Sequence, residues 1–549
     1  MTIVTFSKKQ FERDFGSFNE QMKNKVSMFG TPIDKERIED NISIEVFPNR
    51  PDLLSYHGFK RSFLSFLGKK TGLSSYKINK PEKNYSVTVD STVKDIRPYT
   101  ACAIVRGLSL NDEKIKELID LQEKLHLTLG RKRKKAAIGI YPLEKIQLPI
   151  TFKALEPDKI KFVPLEFDKE LSGLEILQRH STGKDYAHLL AGKMKFPIFI
   201  DSKEQILSMP PIINSNITGR VSTETKDVFV ECSGFDLGTL NICLNIITTC
   251  MADMGGKIYQ MELKYGFKKE ITPNLNPRTM KISLENTNKL LGIDFNEKQI
   301  KQLLEKMGYN YKNKSVEIPS WRADILHEVD LIEDVAIAYG YENFIPEIPE
   351  ISTIGEEDPK EKVKRSIALI LSGLGFLEVS SHHLTSKKDQ EERLDSPEKE
   401  NAIQVESSKT EFSFLRNDLS QAILKILSEN VDSEYPQKIF EIGKVFPVSQ
   451  GKITEKESLA LALSPGNFTE SKQVIEYLFR MLGLEASFSE PRNRPQLFIE
   501  GRTSEILLRG ICIGFLGEIH PKILKDWKIK MPVALFEISL DEIFNSLKI

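Results

Sequence analysis

The stretch SWRADILHEVDLIEDVAIAYGY, residues 320–341, sets Asp324, Glu328, Asp330, Glu333 and Asp334 close together, with only Arg322 and His327 beside them. A helix starting near Asp330 and turning 100° per residue carries Asp330, Glu333 and Asp334 on one face. Leu331, Ile332, Val335, Ala336 and Tyr339 line the other. Asp324 ends an extended segment and can fold back over the helix start. Asp330 followed by Glu333 has capping-box spacing, and acids suit a helix N-terminus through its dipole, so the residues alone favour a plain helix start. Like charges three or four positions apart nevertheless repel by a few tenths of a kcal/mol per pair. A hard dication, which takes oxygen ligands, would offset that, and the sharper alternative is a structural Mg²⁺ site at Asp324, Asp330, Glu333 and Asp334.

These acids must be held by elements that the pattern makes legible. Ser7 to Gln10 has capping-box spacing before Phe11 and Phe15, and Asp52 is placed to cap a helix whose buried side is Leu53, Leu54, Phe59, Phe63, Leu64 and Phe66, ending at Gly68. Residues 1–80 therefore read as a small α+β module. Over 82–270, strand-like runs such as YSVTVD, TACAIVRGL, AAIGIYP, FPIFID and DVFVECSG alternate with helical ones, which predicts an α/β domain on a mixed sheet. Residues 275–350 hold two strands, two short helices and the acidic helix. After the proline-rich IPEIPEISTIGEEDP, residues 355–549 predict an antiparallel sheet flanked by helices.

The totals bound the class. A chain of 549 residues exceeds one core and implies several domains. With 28% charged residues and a net charge of -1 it has no overall basic character, so any nucleic-acid contact must be local. The most apolar run, LGTLNICLNIITTCMADM, is interrupted by Asn241, Asn245 and Asp253, and no membrane span is expected. Five cysteines without a C-x-x-C pair suggest neither a zinc site nor a disulfide framework, and fit a reducing cytoplasm.

Arg322 to Tyr341 resembles the signature of the phenylalanyl-tRNA synthetase β-subunit family. Further similarity runs in order along the chain: NRPDLLS (49–55), LTLGRKRKKAAIGIYPLE (127–144), PPIINSNITGRVSTETKDVFVECSG (210–234), FEIGKVF (440–446) and GFLGEIHPKIL (514–524). The length is similar to the shorter archaeal and eukaryotic type. The resemblance implies a cytoplasmic ligase that joins phenylalanine to its tRNA with ATP, as an (αβ)₂ heterotetramer whose α subunit binds ATP and holds the synthetic site. It also implies Mg²⁺ at Asp324, Asp330, Glu333 and Asp334 in a winged-helix-like module, which makes the metal reading the favoured one.

A class II synthetase needs arginines to neutralise the negative charge that builds on phosphate during adenylate formation. Around Arg416 the text reads SFLRNDLSQAIL, with Asn417 and Asp418 where an Arg-x-Glu strand would be expected, and Glu518 in GFLGEIHP is followed by Ile519 and His520 with no arginine. The last domain is therefore expected to have a synthetase-like fold without the active site. His382 and His383 point apart if they lie on a strand, which argues against a catalytic pair.

The resemblance further implies a hydrolytic editing site in residues 82–270 that removes tyrosine from mischarged tRNA. Such a site has a physical rationale, because a pocket for a phenyl ring rejects an added hydroxyl only weakly. Ser208, Glu231 and Ser233 are the expected pocket residues, with Asn214 and Thr218 as further hydrogen-bonding groups and Gly219 and Gly234 allowing close backbone approach. No Ser/His/Asp or Cys/His set is apparent, so a positioned water is the expected nucleophile. Arg131-Lys132-Arg133-Lys134-Lys135 suits a solvated loop, or a patch for the phosphates of tRNA. The other reading of the whole is a nucleic-acid-binding scaffold subunit without editing activity. A stand-alone hydrolase built on the acidic cluster is disfavoured, since no partner for an activated water is apparent there.

Overall fold

The computed structural model describes residues 2–34, 40–266, 268–394, 403–449, 452–492 and 495–549. The chain is a mixed α/β, multi-domain protein that divides into two compact units, Met1–Ile348 and Pro349–Ile549.

The first unit opens with an antiparallel pair, Thr2–Ser7 with Asn41–Val46. Helices Lys8–Phe15 and Tyr56–Phe66 carry phenylalanines at i,i+4 spacing, and Phe11, Phe15, Phe59 and Phe63 meet with ring centroids 4.6 Å (Phe11–Phe15) and 5.1 Å (Phe59–Phe63 and Phe15–Phe63) apart. Ser7 caps the first helix, as its spacing predicts. The second is capped by Ser55, whose hydroxyl accepts from Gly58 N, and not by Asp52. Asp52 lies fully buried and accepts from Arg50 Nε and Nη2, each at 2.9 Å, an ion pair that sequence spacing does not announce.

The largest sheet of this unit runs Ile213–Asn214, Ile206–Met209, Phe196–Ile200, Ile150–Leu155, Ser86–Val89, Lys257–Tyr265, Tyr99–Arg106, Val228–Gly234, Ala136–Pro142. It is mixed: Ser86–Val89 pairs parallel with both neighbours, while Val228–Gly234 is antiparallel to both of its own. Helix Leu237–Asp253 is apolar almost all round because it is buried almost all round, packing on the sheet and against Tyr56–Phe66 and Asp112–Leu127. Its polar residues turn inward too. Thr248 and Thr249 each bond the carbonyl four residues back at 2.7 Å, and Asn245 Nδ2 donates to Asn274 O and Ser320 O. Among the described residues no helix is long and apolar enough to cross a membrane.

A three-stranded sheet, Arg278–Lys281, Ser315–Ile318 and Asn310–Lys312, follows with helices Leu284–Leu291, Glu297–Lys306 and Glu328–Tyr339.

The second unit is a seven-stranded sheet in the order Leu377–Glu378, Gln437–Val445, Lys456–Ser464, Ala534–Ser539, Ile511–Ile519, Phe498–Leu508, Ala486–Ser489. Every neighbouring pair is antiparallel except the first. Helices Pro359–Gly373 and Phe468–Met481 share one apolar cluster with the sheet, and Ser420–Glu429 shares another.

Candidate functional sites

The acidic helix spans Glu328–Tyr339, so it starts two residues before the sequence pattern suggests. His327 is the N-cap and forms the capping box with Asp330, whose Oδ2 accepts Leu326 N at 2.6 Å and His327 N at 2.7 Å. Asp330 is thus the third helical residue, and not the cap that pairs with Glu333. Glu328 leaves the cluster: its carboxylate takes Ser283 N at 2.5 Å and Asn286 Nδ2 at 2.9 Å. Asp334 is buried instead of sharing the solvent face. Arg322 explains why. The guanidinium, itself buried, holds Asp324 through two bonds of 2.8 and 2.6 Å and reaches Asp334 Oδ2 at 2.7 Å, where the Tyr309 hydroxyl also donates.

One guanidinium therefore serves two carboxylates, and Glu333 is left facing three neighbouring acids. Burial first, then Asp334, Asp330 and Asp324, push the Glu333 carboxyl up from its ordinary value. At Asp324 burial also raises the value, but Arg322 and then Arg50 more than offset it, and the net direction is down. The hydrogen bonds on Asp330 and Asp334 converge on one oxygen of each, Oδ2. Four hard carboxylates match a dication by donor type, but among the described residues the only His, Cys, Asp or Glu group whose ligand atoms converge within 4.8 Å is His57, Glu117 and Cys250.

The second cluster forms around Glu231, which the doubly paired strand Val228–Gly234 carries into the interior. Tyr141 Oη lies 2.8 Å from Ser208 Oγ, 3.2 Å from Glu231 Oε1 and 3.3 Å from Asn214 Oδ1. Burial dominates the Glu231 environment and pushes its carboxyl up to about 8 against the pull of Arg97 and of the Tyr141 and Ser233 hydroxyls. The phenol donates to Glu231 Oε1, the Ser208 hydroxyl brings a proton of its own, and burial biases the Glu231 carboxyl towards its neutral form.

Gly139 faces Glu231 across the strand pair, and a Cβ there would collide with the Tyr141 phenol and sit 2.7 Å from Glu231 Oε1. Neither Tyr141 nor Gly139 stands out in the sequence; the signal was their i,i+2 placement on one face of AAIGIYP. Asn214 links this knot to a cavity of about 470 Å³, whose wall includes Gln122, Glu123, Asn216 and Arg220 with Leu118 and Ile140.

Of the other expected members, Ser233 is shared between Glu231 and Arg97, and Thr218 stands apart. Ser233 is engaged by Arg97, which donates from Nε to its hydroxyl at 3.1 Å and from Nη2 to its carbonyl at 2.5 Å. Thr218 is buried and donates to Leu207 O at 3.3 Å. The basic run is split as well. Arg131, Lys132, Lys134 and Lys135 are exposed, but Arg133 turns inward to Ile212 O at 2.8 Å and Glu123 Oε1 at 2.9 Å, with its guanidinium 4.4 Å from the Tyr186 ring centre. It is therefore a structural member and not part of the exposed patch.

In the second unit Arg416 is buried and pinned by Glu441 Oε1 at 2.6 Å, Lys444 O at 2.7 Å and Ser381 Oγ at 2.7 Å. Glu518 accepts from Phe468 N at 3.0 Å and Arg502 Nη1 at 2.6 Å, and His520 caps the helix Pro521–Asp526. His382 and His383 are both exposed, and His383 stacks edge-on against Phe446. A cavity of about 540 Å³ lies on the sheet, walled by Asn417, Asp418, Ser420, Lys456 and Glu537 among apolar residues. Glu537 takes Leu419 N and Ser420 N at 2.9 Å, and burial together with the charge of Asp418 pushes it up to about 7.

Family models match in two places: the tRNA synthetase B5 domain over residues 280–341, and the phenylalanyl tRNA synthetase beta chain CLM domain over 345–540. The chain is 40% identical over 502 residues to the phenylalanine–tRNA ligase beta subunit of Thermococcus sibiricus, covering 90% of this chain and 89% of that one. It is 38% identical over 554 residues to the counterpart from Archaeoglobus fulgidus, covering 100% and 99%. A crystal structure of an N-terminal fragment of the Pyrococcus horikoshii phenylalanyl-tRNA synthetase beta subunit superposes with a TM-score of 0.58 at 39% identity, over 62% of this chain and 99% of the fragment. The chain belongs to the phenylalanine–tRNA ligase β-subunit family, a component of an aminoacyl-tRNA synthetase.

Proposed function

We propose that this chain works in the cytoplasm as the β subunit of an (αβ)₂ phenylalanine–tRNA ligase, with ATP and the synthetic site on the α subunit. The second unit then serves as a synthetase-like assembly domain, and the first unit binds tRNA and hydrolyses mischarged tyrosyl-tRNA. The observation that carries the division of labour is Arg416: it is buried, with Nε given to Lys444 O and Nη1 to Ser381 Oγ and Glu441. The neighbouring cavity adds Asp418 and Glu537, which repel phosphate, against one lysine, Lys456. Nucleotide charge has nothing adequate to meet there.

For editing, the Tyr141–Ser208–Asn214–Glu231 knot supports a site that exchanges hydrogen bonds with a tyrosine phenol. The Asn214 amide lines the cavity and also bonds Tyr141, so an added substrate hydroxyl can join the network, whereas phenylalanine leaves it unused. Water would then attack the ester carbonyl, releasing tyrosine and the tRNA hydroxyl. Arg97 holds Ser233 and draws Glu231 towards ionisation, which makes it a positioning residue. The exposed Arg131, Lys132, Lys134 and Lys135 are the phosphate contacts this reading assigns.

The 275–350 segment acts as a winged-helix-like module, and Mg²⁺ held by Asp324, Asp330, Glu333 and Asp334 would neutralise the surplus acid charge there. Incubating the αβ complex with tyrosyl-tRNA(Phe) tests the editing reading. Release of tyrosine, reduced at least tenfold by Ser208→Ala, supports it; an ester that persists assigns the chain a scaffold role without editing.

A further inference from the structure

The segment that joins the two units carries a pattern that the fold leaves unused. From Phe344 it reads FIPEIPEISTIGEEDP, so Ile345, Ile348, Ile351 and Ile354 recur at every third position. They are 85%, 94%, 77% and 96% exposed, unusual for four large apolar side chains in a row. Residues 344–358 lie in no helix or strand. The backbone angles at the two ends, φ -76° and ψ 126° at Phe344 and φ -51° and ψ 128° at Asp358, are close to polyproline II. Pro346 and Pro349 fix φ and drive Ile345 and Ile348 to extended conformations. Polyproline II turns once in about three residues. The spacing therefore sets all four isoleucines on one edge, Glu347, Glu350 and Thr353 on the second, and Pro346, Pro349 and Ser352 on the third.

We propose that this isoleucine edge is a docking strip that lies in an apolar groove of the α subunit rimmed by Lys and Arg. The inference rests on reading the chain as one subunit of an αβ assembly. Charge selects the occupant. Between Tyr341 and Pro359 the chain has six acids, Glu342, Glu347, Glu350, Glu356, Glu357 and Asp358, and no Lys or Arg. A second copy of the strip would oppose acid to acid, and RNA or an anionic lipid surface would be repelled. A groove with an apolar floor and a basic rim satisfies both the isoleucines and the acids. The prolines hold the strip near its docked conformation, which reduces the ordering cost of binding.

Cysteine accessibility tests this in the full-length chain. Cys512 is exposed and the other four cysteines are buried, so a Cys512→Ser background gives Ile351→Cys the single reactive thiol. Maleimide labelling is followed for the chain alone, with the α subunit and with tRNA(Phe) alone, while size-exclusion chromatography monitors complex formation. The thiol is expected to react rapidly in the isolated chain and at least tenfold more slowly in the αβ complex. Ile348→Asp combined with Ile351→Asp is expected to weaken α association at least tenfold without changing the circular dichroism of the isolated chain. A complex that forms but leaves the thiol reacting at its free rate overturns the proposal. Protection in the isolated chain, which would put the strip against this chain itself, also overturns it, as does protection by tRNA alone. Failure of the unsubstituted chain to bind the α subunit at all would overturn the assembly reading beneath it.

Discussion

Glu231 makes a prediction about both stability and chemistry. Its carboxyl is held at about 8 in the fold against an ordinary 4.5. Below pH 4 both folded and unfolded chains bind the proton and the residue contributes no pH dependence. As pH rises from 4.5 to 8 the unfolded chain releases the proton first, so stability falls across that window and levels off above it. Glu231→Gln should therefore raise the unfolding temperature of the first unit at pH 8, by an amount that shrinks to nothing near pH 4. The proposed deacylation should be lost in the same variant. Calorimetry over pH 4–9 and a deacylation assay measure the two.

Arg322 makes a different prediction: Arg322→Met leaves Asp324 and Asp334 buried without their cation, at a cost of about 3–5 kcal/mol in urea unfolding. Glu333→Gln should instead leave metal-free stability equal or higher, because it removes repulsion, and should abolish any stabilisation by added Mg²⁺. Stabilisation by Mg²⁺ that survives Glu333→Gln would remove Glu333 from the proposed ligands. The acids were legible because charge crowding is visible in one dimension. Tyr141 and Gly139 were not, because their meaning depends on which residues the neighbouring strand places opposite them.

Elements were easier to place than their ends. The phenylalanine spacing predicts helices Lys8–Phe15 and Tyr56–Phe66 but not Glu20–Met28, which has no phenylalanine, and Asp52, a good cap by type, is withdrawn into an ion pair by Arg50 two residues earlier, so that Ser55 caps instead. Ser55→Ala should cost about 1 kcal/mol, the usual value of a cap. Asp52→Ala should cost more, because it strands a buried guanidinium. Chemical denaturation of the two variants checks the order. The acidic helix starts early for a similar reason: His327 accepts Val329 N and makes Asp330 the reciprocal partner, a role that residue type alone gives more readily to Ser, Thr, Asp or Asn. Helix Leu237–Asp253 shows the opposite case. Asn241, Asn245 and Asp253 interrupt its apolar run in the sequence, yet in the fold Asn245 Nδ2 donates to carbonyls of residues 274 and 320 and Asp253 pairs with Arg61 at 2.6 Å.

At the scale of the molecule, the succession of strands and helices anticipates a mixed α/β chain of several domains, and its second unit is the antiparallel sheet with flanking helices that the strand-like runs predict. What sequence could not supply was the fate of Arg416. The text around it lacks a strand Arg-x-Glu pattern, but only the packed protein shows that its guanidinium is spent on Glu441 and two other groups. The central claim is that this chain cannot activate phenylalanine by itself. Phenylalanine-dependent exchange of pyrophosphate into ATP, measured on the purified chain with and without its α subunit, tests that claim most directly: the account predicts no exchange alone and robust exchange in the complex, and exchange by the isolated chain would contradict it.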